Sequence, residues 1–271
     1  MRLSICHTTH YSFATPASHG LQRLRLRPKS THGQSVLEWK MELEGARLEA
    51  EYDDQHCNHT ALVSVEQGVE AVTVTCSGLV VTSDHAGVIG QHAGFMPLWC
   101  FRDQTPLTAP GPRMRALAAQ IKGEGGDALE LLHRLSSQVH AAIAYEIGHT
   151  DVETTAEAAV AAGRGVCQDH AHVFIGLARA HGIPARYVSG YLMMDDRIDQ
   201  EAGHAWAEAH VEGLGWVAFD VSNGISADAR YVRIASGRDY REAAPVTGIT
   251  YGTGDSALSV SLAVEQQIAE Q

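Results

Sequence analysis

Three residues carry the chemistry of this chain: Cys167, His204 and Asp220. Cys167 follows a glycine-bearing turn, Gly163-Arg164-Gly165-Val166, and opens a run with helical spacing. A cysteine in the first turn of a helix faces unpaired backbone N–H groups and the positive end of the helix dipole, which favour thiolate over thiol. The glycines before it permit a tight turn and close approach of a substrate backbone. His204 lies in Gly203-His204-Ala205-Trp206-Ala207-Glu208, and Asp220 ends Gly215-Trp216-Val217-Ala218-Phe219-Asp220. Cysteine, histidine and aspartate in that order fit a nucleophile, its base and the group that orients the base.

The elements around them must bring the three together. Alternating segments span Ala185 to Met194, Gly203 to Glu212 and Gly215 to Val221. Gly213-Leu214-Gly215 is short enough to join the last two as a hairpin. In such an antiparallel pair His204 and Asp220 become neighbours. The carboxylate would fix one imidazole nitrogen and leave the other for the thiol. The Cys167 helix must pack across this sheet, with Ala171, Phe174 and Ala178 on the face it shares with Cys167. It stops near His181-Gly182-Ile183-Pro184, a C-cap glycine followed by a proline.

Upstream, helical spacing recurs over residues 112–122 and 127–146, with Asp127 as a cap for the second stretch, and over 154–162. Residues 1–82 read differently. Period-two alternation in Val36–Leu43 and Val69–Thr75, broken at short intervals by Gly, Asn, Asp and His, predicts an antiparallel β-sandwich-like module. Arg23-Leu24-Arg25-Leu26-Arg27 reads as a strand with one solvated, charged face. Residues 83–109 hold Pro97 and Pro106 and read as a linker. The expected organisation is therefore α+β, with the β module at 1–82, the linker at 83–109 and the catalytic core with a C-terminal extension at 110–271. A late alternating run, Leu258–Val264, is placed to return and complete a sheet.

Composition narrows the partners. A formal charge of −12 argues against binding nucleic acid, which needs clustered Lys and Arg. No apolar run reaches membrane-spanning length, and the first residues lack the apolar stretch of a signal peptide. The five cysteines are scattered, odd in number and without a CxxC pair, so neither a disulfide framework nor a Cys-rich zinc site is expected. A protein of the reducing cytoplasm is the expectation. His170 and His172, with Cys167 and His210 as further ligands, invite a metal reading. Their spacing puts the two histidines on different sides of a helix, so no metal and no other cofactor is expected.

The motifs also carry a resemblance. Gly165-Val166-Cys167-Gln168-Asp169-His170-Ala171-His172, then Gly182-Ile183-Pro184-Ala185-Arg186-Tyr187-Val188-Ser189-Gly190-Tyr191, resemble the core of the bacterial transglutaminase-like superfamily. Gly203-His204-Ala205-Trp206-Ala207-Glu208 and Trp216–Asp220 continue the pattern, as do Tyr145, Gly148, Thr150 and Thr155 upstream. The likeness covers roughly residues 130–225, and the strand-rich N-terminal part is similar to the module that often precedes this core. It implies a papain-like fold, a Cys-bearing helix packed on an antiparallel sheet carrying His204 and Asp220. Where the family commonly has Asp-Pro-Thr-Asn-Gly, this chain has Asp220-Val221-Ser222-Asn223-Gly224; loss of the proline loosens the turn.

The implied activity is acyl transfer from an amide: hydrolysis of a peptide or isopeptide bond, or transglutamination if an amine is the acceptor. The substrate would be a peptide or protein with an amide carbonyl. Gln168, Tyr145 and Trp206 are the further candidates for oxyanion or substrate contacts, with the Cys167 backbone N–H the safer oxyanion donor. The alternative is a non-catalytic protein that keeps the fold and holds a peptide.

Overall fold

A computed structural model describes residues 1–120 and 127–267 of the 271-residue chain. Two five-stranded sheets, one four-stranded sheet and five α-helices make up a mixed α/β molecule. The helices are α1 (Pro112–Gln120), α2 (Ala128–Ala142), α3 (Ala156–Ala162), α4 (Cys167–Ala180) and α5 (Tyr240–Ala243). The expected helix over 112–122 is thus seen to Gln120, and its last two residues lie outside the described ones.

The site is built on the sheet ordered Tyr231–Gly237, Ala185–Leu192, His204–Val211, Gly215–Phe219 and Val88–Gly90. The expected hairpin is present, with Ala207 opposite Phe219 and Val211 opposite Gly215. Helix α4 packs mainly on the His204–Val211 strand and is enclosed on its other side by α2 and α3. That enclosure changes one expectation. The face shared by Ala171, Phe174 and Ala178 is buried, but so is every residue from Asp169 to Arg179. A helix covered on all sides has no solvated face, and its polar side chains Asp169, His170, His172 and Arg179 are buried with hydrogen-bond partners.

Local signals explain the element ends. Asp127 caps α2 by accepting from the Leu129 N–H at 3.4 Å, and Thr155 caps α3 by accepting from the Ala158 N–H at 3.2 Å. Helix α2 stops at Ala142 instead of running to 146. Ala144–Tyr145 leaves it as a short strand, parallel to Arg164–Gly165. That pairing sets Tyr145 opposite Gly165, two residues before the cysteine.

The first eighty residues form two antiparallel sheets whose inner faces share one apolar cluster, including Leu3, Ile5, Val63, Val74 and Cys76, with the helical part of the chain. The C-terminal residues belong here and not to the core. Val246–Tyr251 pairs with His19–Leu24, and Ser256–Gln266 pairs with Arg2–Phe13 along its length. The extension is thus an integral part of the N-terminal sheets. Residues 83–109 are not a loose linker either. Val88–Gly90 adds an edge strand to the catalytic sheet, and Phe101, Leu107 and Thr108 are buried. Arg25 does not face solvent; it is 3% exposed and paired with Asp54 at 3.0 Å. Among the described residues no helix is long and apolar enough to cross a membrane.

Candidate active site

Cys167 is the first residue of α4. The chain reaches it through a tight local arrangement. Gly163, at φ 65°, ends α3 in the left-handed conformation. The Asp169 carboxylate then reaches back to accept from the Val166 N–H at 2.8 Å and from the Thr150 hydroxyl at 2.8 Å. A Cβ on Gly165 would lie 2.6 Å from that carboxylate, so the glycine makes room for Asp169. The glycine thus serves the helix start rather than the approach of a substrate backbone. In the first turn of a helix the backbone N–H groups, that of Cys167 among them, have no intrahelical acceptor.

His204 opens its strand and meets Asp220 just beyond the end of the neighbouring one; Nε2 lies 2.6 Å from Oδ2. Asp220 is fully buried and accepts from several further donors. The Tyr231 hydroxyl and Asn223 Nδ2 donate to Oδ2, each at 2.7 Å, and the Ser222 hydroxyl donates to Oδ1 at 2.7 Å. Burial alone would push this carboxyl up. The donors, His204 first, overcome it and hold Asp220 well below the usual carboxylate range. The turn after Asp220 closes without the proline: Asp220 and Ile225 exchange backbone hydrogen bonds at 2.8 and 3.1 Å. The Ser222 and Asn223 side chains tie that turn to the carboxylate.

His204 responds to both neighbours. Burial pulls its imidazolium down, but hydrogen bonds to Asp220 and to Cys167, with their charges, lift it to about 10. The direction of that shift favours the cationic ring at neutral pH, with Asp220 at its Nε2 and Cys167 lining the same cavity.

Cys167 and His204 open onto one cavity of ≈310 Å³. Its core side carries Gln168, Tyr187, Ser189 and Tyr240. Its opposite wall comes from the N-terminal sheet: His7, Thr9 and Tyr11 from one strand, Leu258 and Val260 from the returning C-terminal strand. His7 is pushed down to about 4 by burial and accepts or donates only as a neutral ring, 2.9 Å from the Tyr191 hydroxyl. The cleft is therefore mostly aromatic and aliphatic, with Cys167 and His204 opening onto it.

The other candidates separate. Gln168 lines the cleft beside Cys167. Tyr145 is 55% exposed, stacks on His170 at 6.2 Å and sits outside the cavity wall. Burial, then the charges of Cys167 and Asp220, push its hydroxyl up to about 12, so it stays protonated. Trp206 does not reach the cleft. It is buried with Val188, Leu192, Ala218 and Tyr231, behind the His204 ring at 6.3 Å. Gly190 permits this placement, since a Cβ there would lie 2.4 Å from the indole. The acidic loop residues Asp195 and Asp196 are exposed, while Asp199–Gln200 bridges to the Ser256–Gln266 strand.

The histidines of α4 are committed elsewhere. His170 places Nδ1 2.9 Å from the Val166 carbonyl and Nε2 3.0 Å from that of Ile143. His172 accepts from the Tyr240 N–H at 3.1 Å, and burial pulls it down to about 3. Among the described residues no three His, Cys, Asp or Glu side chains gather as a metal site. Sequence reading missed Tyr231, Ser222 and the N-terminal wall of the cleft. Ser222 sat inside a motif already singled out, whereas nothing local marked Tyr231.

Comparison with known proteins agrees with this architecture. Residues 115–221 match the transglutaminase-like superfamily, and residues 3–81 match the bacterial transglutaminase-like N-terminal region. The chain belongs to the transglutaminase-like superfamily, with its catalytic-type core preceded by that N-terminal region. It is similar to an uncharacterized protein of Mycobacterium leprae (strain TN), 27% identical over 272 residues, covering 96% of each chain. A similar protein of Mycobacterium bovis is 27% identical over 292 residues, covering 97% of this chain and 92% of that one. Among solved structures, a candidate cysteine protease from Cytophaga hutchinsonii superposes with a TM-score of 0.78 at 20% identity, covering all of this chain and 92% of that one. At that identity the likeness speaks for the fold alone.

Proposed function

We propose that the protein is a cysteine-dependent acyl-transfer enzyme acting on amide bonds of peptides or proteins. The observation that carries this reading is His204, bonded to the buried Asp220 and opening with Cys167 onto one cavity. The thiolate Sγ attacks the amide carbonyl carbon. The oxyanion that forms faces the N–H groups at the start of α4. On collapse, the His204 imidazolium gives its proton to the leaving amine and a thioester remains on Cys167. Neutral His204 then takes a proton from water or from an acceptor amine as either attacks the thioester. Water releases an acid, an amine gives a new amide, and the thiolate–imidazolium pair is restored.

Hydrolysis is the favoured outcome, as a peptidase or amidase; transglutamination follows if an amine out-competes water. Asp220 orients the ring and keeps its charge. Gln168, beside the nucleophile, is positioned to contact substrate. All five cysteines are free thiols, which fits a reducing cytoplasm.

The test is a screen of peptide amides with and without added amine, read by mass spectrometry, in wild type, Cys167→Ala and His204→Ala. Hydrolysis or amine incorporation that disappears in both variants, with a thioester adduct on Cys167, supports the reading. Alkylation of Cys167 at the rate of the exposed Cys6, unchanged in His204→Ala, would overturn it in favour of a peptide-holding protein.

A further inference from the structure

A second cavity, ≈520 Å³, shares no lining residue with the cleft. Alternation along Ala185–Leu192 divides the two: Tyr187, Ser189 and Tyr191 line the cleft, and Arg186 lines the second cavity. Arg233 and Lys29 join Arg186 there, with His32 and His56. None of the described lining residues is acidic. In a chain of net charge −12, a cavity walled by two arginines and a lysine with no carboxylate is a local reversal of sign.

The charges are not balanced from behind. Glu208 is the carboxylate beneath the two arginines. Arg186 Nε donates to Oε2 at 2.6 Å and Arg233 Nη2 donates to the same oxygen at 3.3 Å, while Arg233 Nε lies 3.0 Å from Oε1. One carboxylate thus serves two guanidiniums that are 5% and 6% exposed. Lys29 donates to neutral acceptors only, the carbonyls of His56 and Cys57 and Asn58 Oδ1. Burial, then Arg233 and Arg186, pull Lys29 down to about 7, which shows how strongly this corner disfavours one more positive charge. His56, on the same wall, is 5% exposed; its Nε2 lies 2.9 Å from Glu242 Oε2, and its Nδ1 has no partner among the described residues. Arg186 also stacks over Trp216 at 3.9 Å, which holds its planar fork in place.

We infer that this second cavity binds a small molecule carrying a doubly charged oxyanion, a phosphate monoester or a dicarboxylate, between Arg186, Arg233 and Lys29. Guanidinium forks match both groups in geometry, and an anion supplies the charge that Glu208 alone does not. The volume leaves room for more than the charged group itself.

Cys57 lines the same cavity and reports on it. The experiment follows iodoacetamide labelling of Cys57, Cys6 and Cys167 by mass spectrometry while inorganic phosphate or succinate is titrated at constant ionic strength. The expected result is saturable protection of Cys57 alone, with Cys6 and Cys167 unaffected. Protection by phosphate assigns a phosphate ligand; protection by succinate assigns a dicarboxylate. Ala93→Glu adds a carboxylate at an exposed point of the lining, and Lys29→Gln removes a cation; each should weaken protection by about tenfold or more. Protection by neither anion, or protection that persists undiminished in both variants, would overturn the inference.

Discussion

Asp220 and Glu208 are both fully buried carboxylates on the same sheet, and their surroundings could hardly differ more. Alternation sets His204, Trp206 and Glu208 on one face of a single strand, with Trp206 between the two charged ends. At one end Asp220 accepts from a titratable ring and from the neutral donors Tyr231, Ser222 and Asn223. At the other, Glu208 is clamped by two arginines that stay charged at any ordinary pH. The first arrangement stores a proton that can leave. The second fixes charge permanently and ties three strands together. A buried carboxylate is thus no functional sign by itself; the nature of the cation facing it is.

The largest effect expected from this contrast is on rate. Asp220→Asn should lower acyl transfer by about 10⁴-fold, because an amide neither selects the His204 tautomer nor balances its charge. Turnover of the folded variant on the best peptide amide measures it. Activity near wild type would place Asp220 with Glu208 as a purely structural group. Glu208→Gln should do the converse, leaving two buried guanidiniums without a counter-charge. A loss of about 3–5 kcal/mol in unfolding free energy is expected, with the turnover of the remaining folded enzyme unchanged. Denaturant titration beside an activity assay separates the two quantities.

A finer cut falls on Tyr231, which touches both sides of the comparison: its hydroxyl donates to Asp220 and its ring meets Trp206 edge-on at 5.4 Å. Tyr231→Phe keeps the ring and removes one charge-assisted hydrogen bond, a loss of about 1.5–3 kcal/mol. If Tyr231 steadies the Asp220 carboxylate, kcat should fall between roughly tenfold and a hundredfold, and the upper limb of the pH–rate profile should move to lower pH. A loss of stability with the profile unmoved would make it a packing residue.

What could be read in advance follows the range of the interactions. Cys167, His204 and Asp220 lie at element ends marked by glycine turns and alternating runs, so their convergence was visible in local spacing. Tyr231 reaches Asp220 through a turn and the far edge of the sheet, and no local signal specifies that. The alternating run Leu258–Val264 did mark a strand that returns to complete a sheet, but not its partner: Ser256–Gln266 pairs with the first strand of the chain, as the register of Leu3 with Gln266 shows. Residues 83–109 looked like a linker because their prolines break periodicity, yet Phe101 and Leu107 are buried by contacts that periodicity does not report. One arginine misled most. Arg25 carries the alternation of an exposed face, and only the buried acid Asp54 reveals that the face is covered.

The contrast also sets the pH dependence of stability, the smallest effect expected. Asp220 is depressed in the folded state, so its contribution is present above the unfolded carboxyl range and is lost as pH falls through the folded value. Glu208, held down by Arg186 and Arg233 against its burial, behaves the same way. The two ends therefore weaken together in acid. They part in base. His204 is raised from 6.5 to about 10, so its contribution is complete below pH 6.5 and drains away between 6.5 and about 10. Glu208, held below the ordinary carboxyl range, exchanges no proton over that window. Wild type should thus lose stability across it, with a slope from this one group of at most about 1.4 kcal/mol per pH unit. In Asp220→Asn that slope should flatten, because the ring loses the partner that holds its proton; in Glu208→Gln it should survive on a lower baseline. Denaturant titrations at stepped pH read all three curves. Equal slopes in wild type and Asp220→Asn would mean that His204 does not carry its proton on account of Asp220, and the distinction between the two carboxylates would collapse.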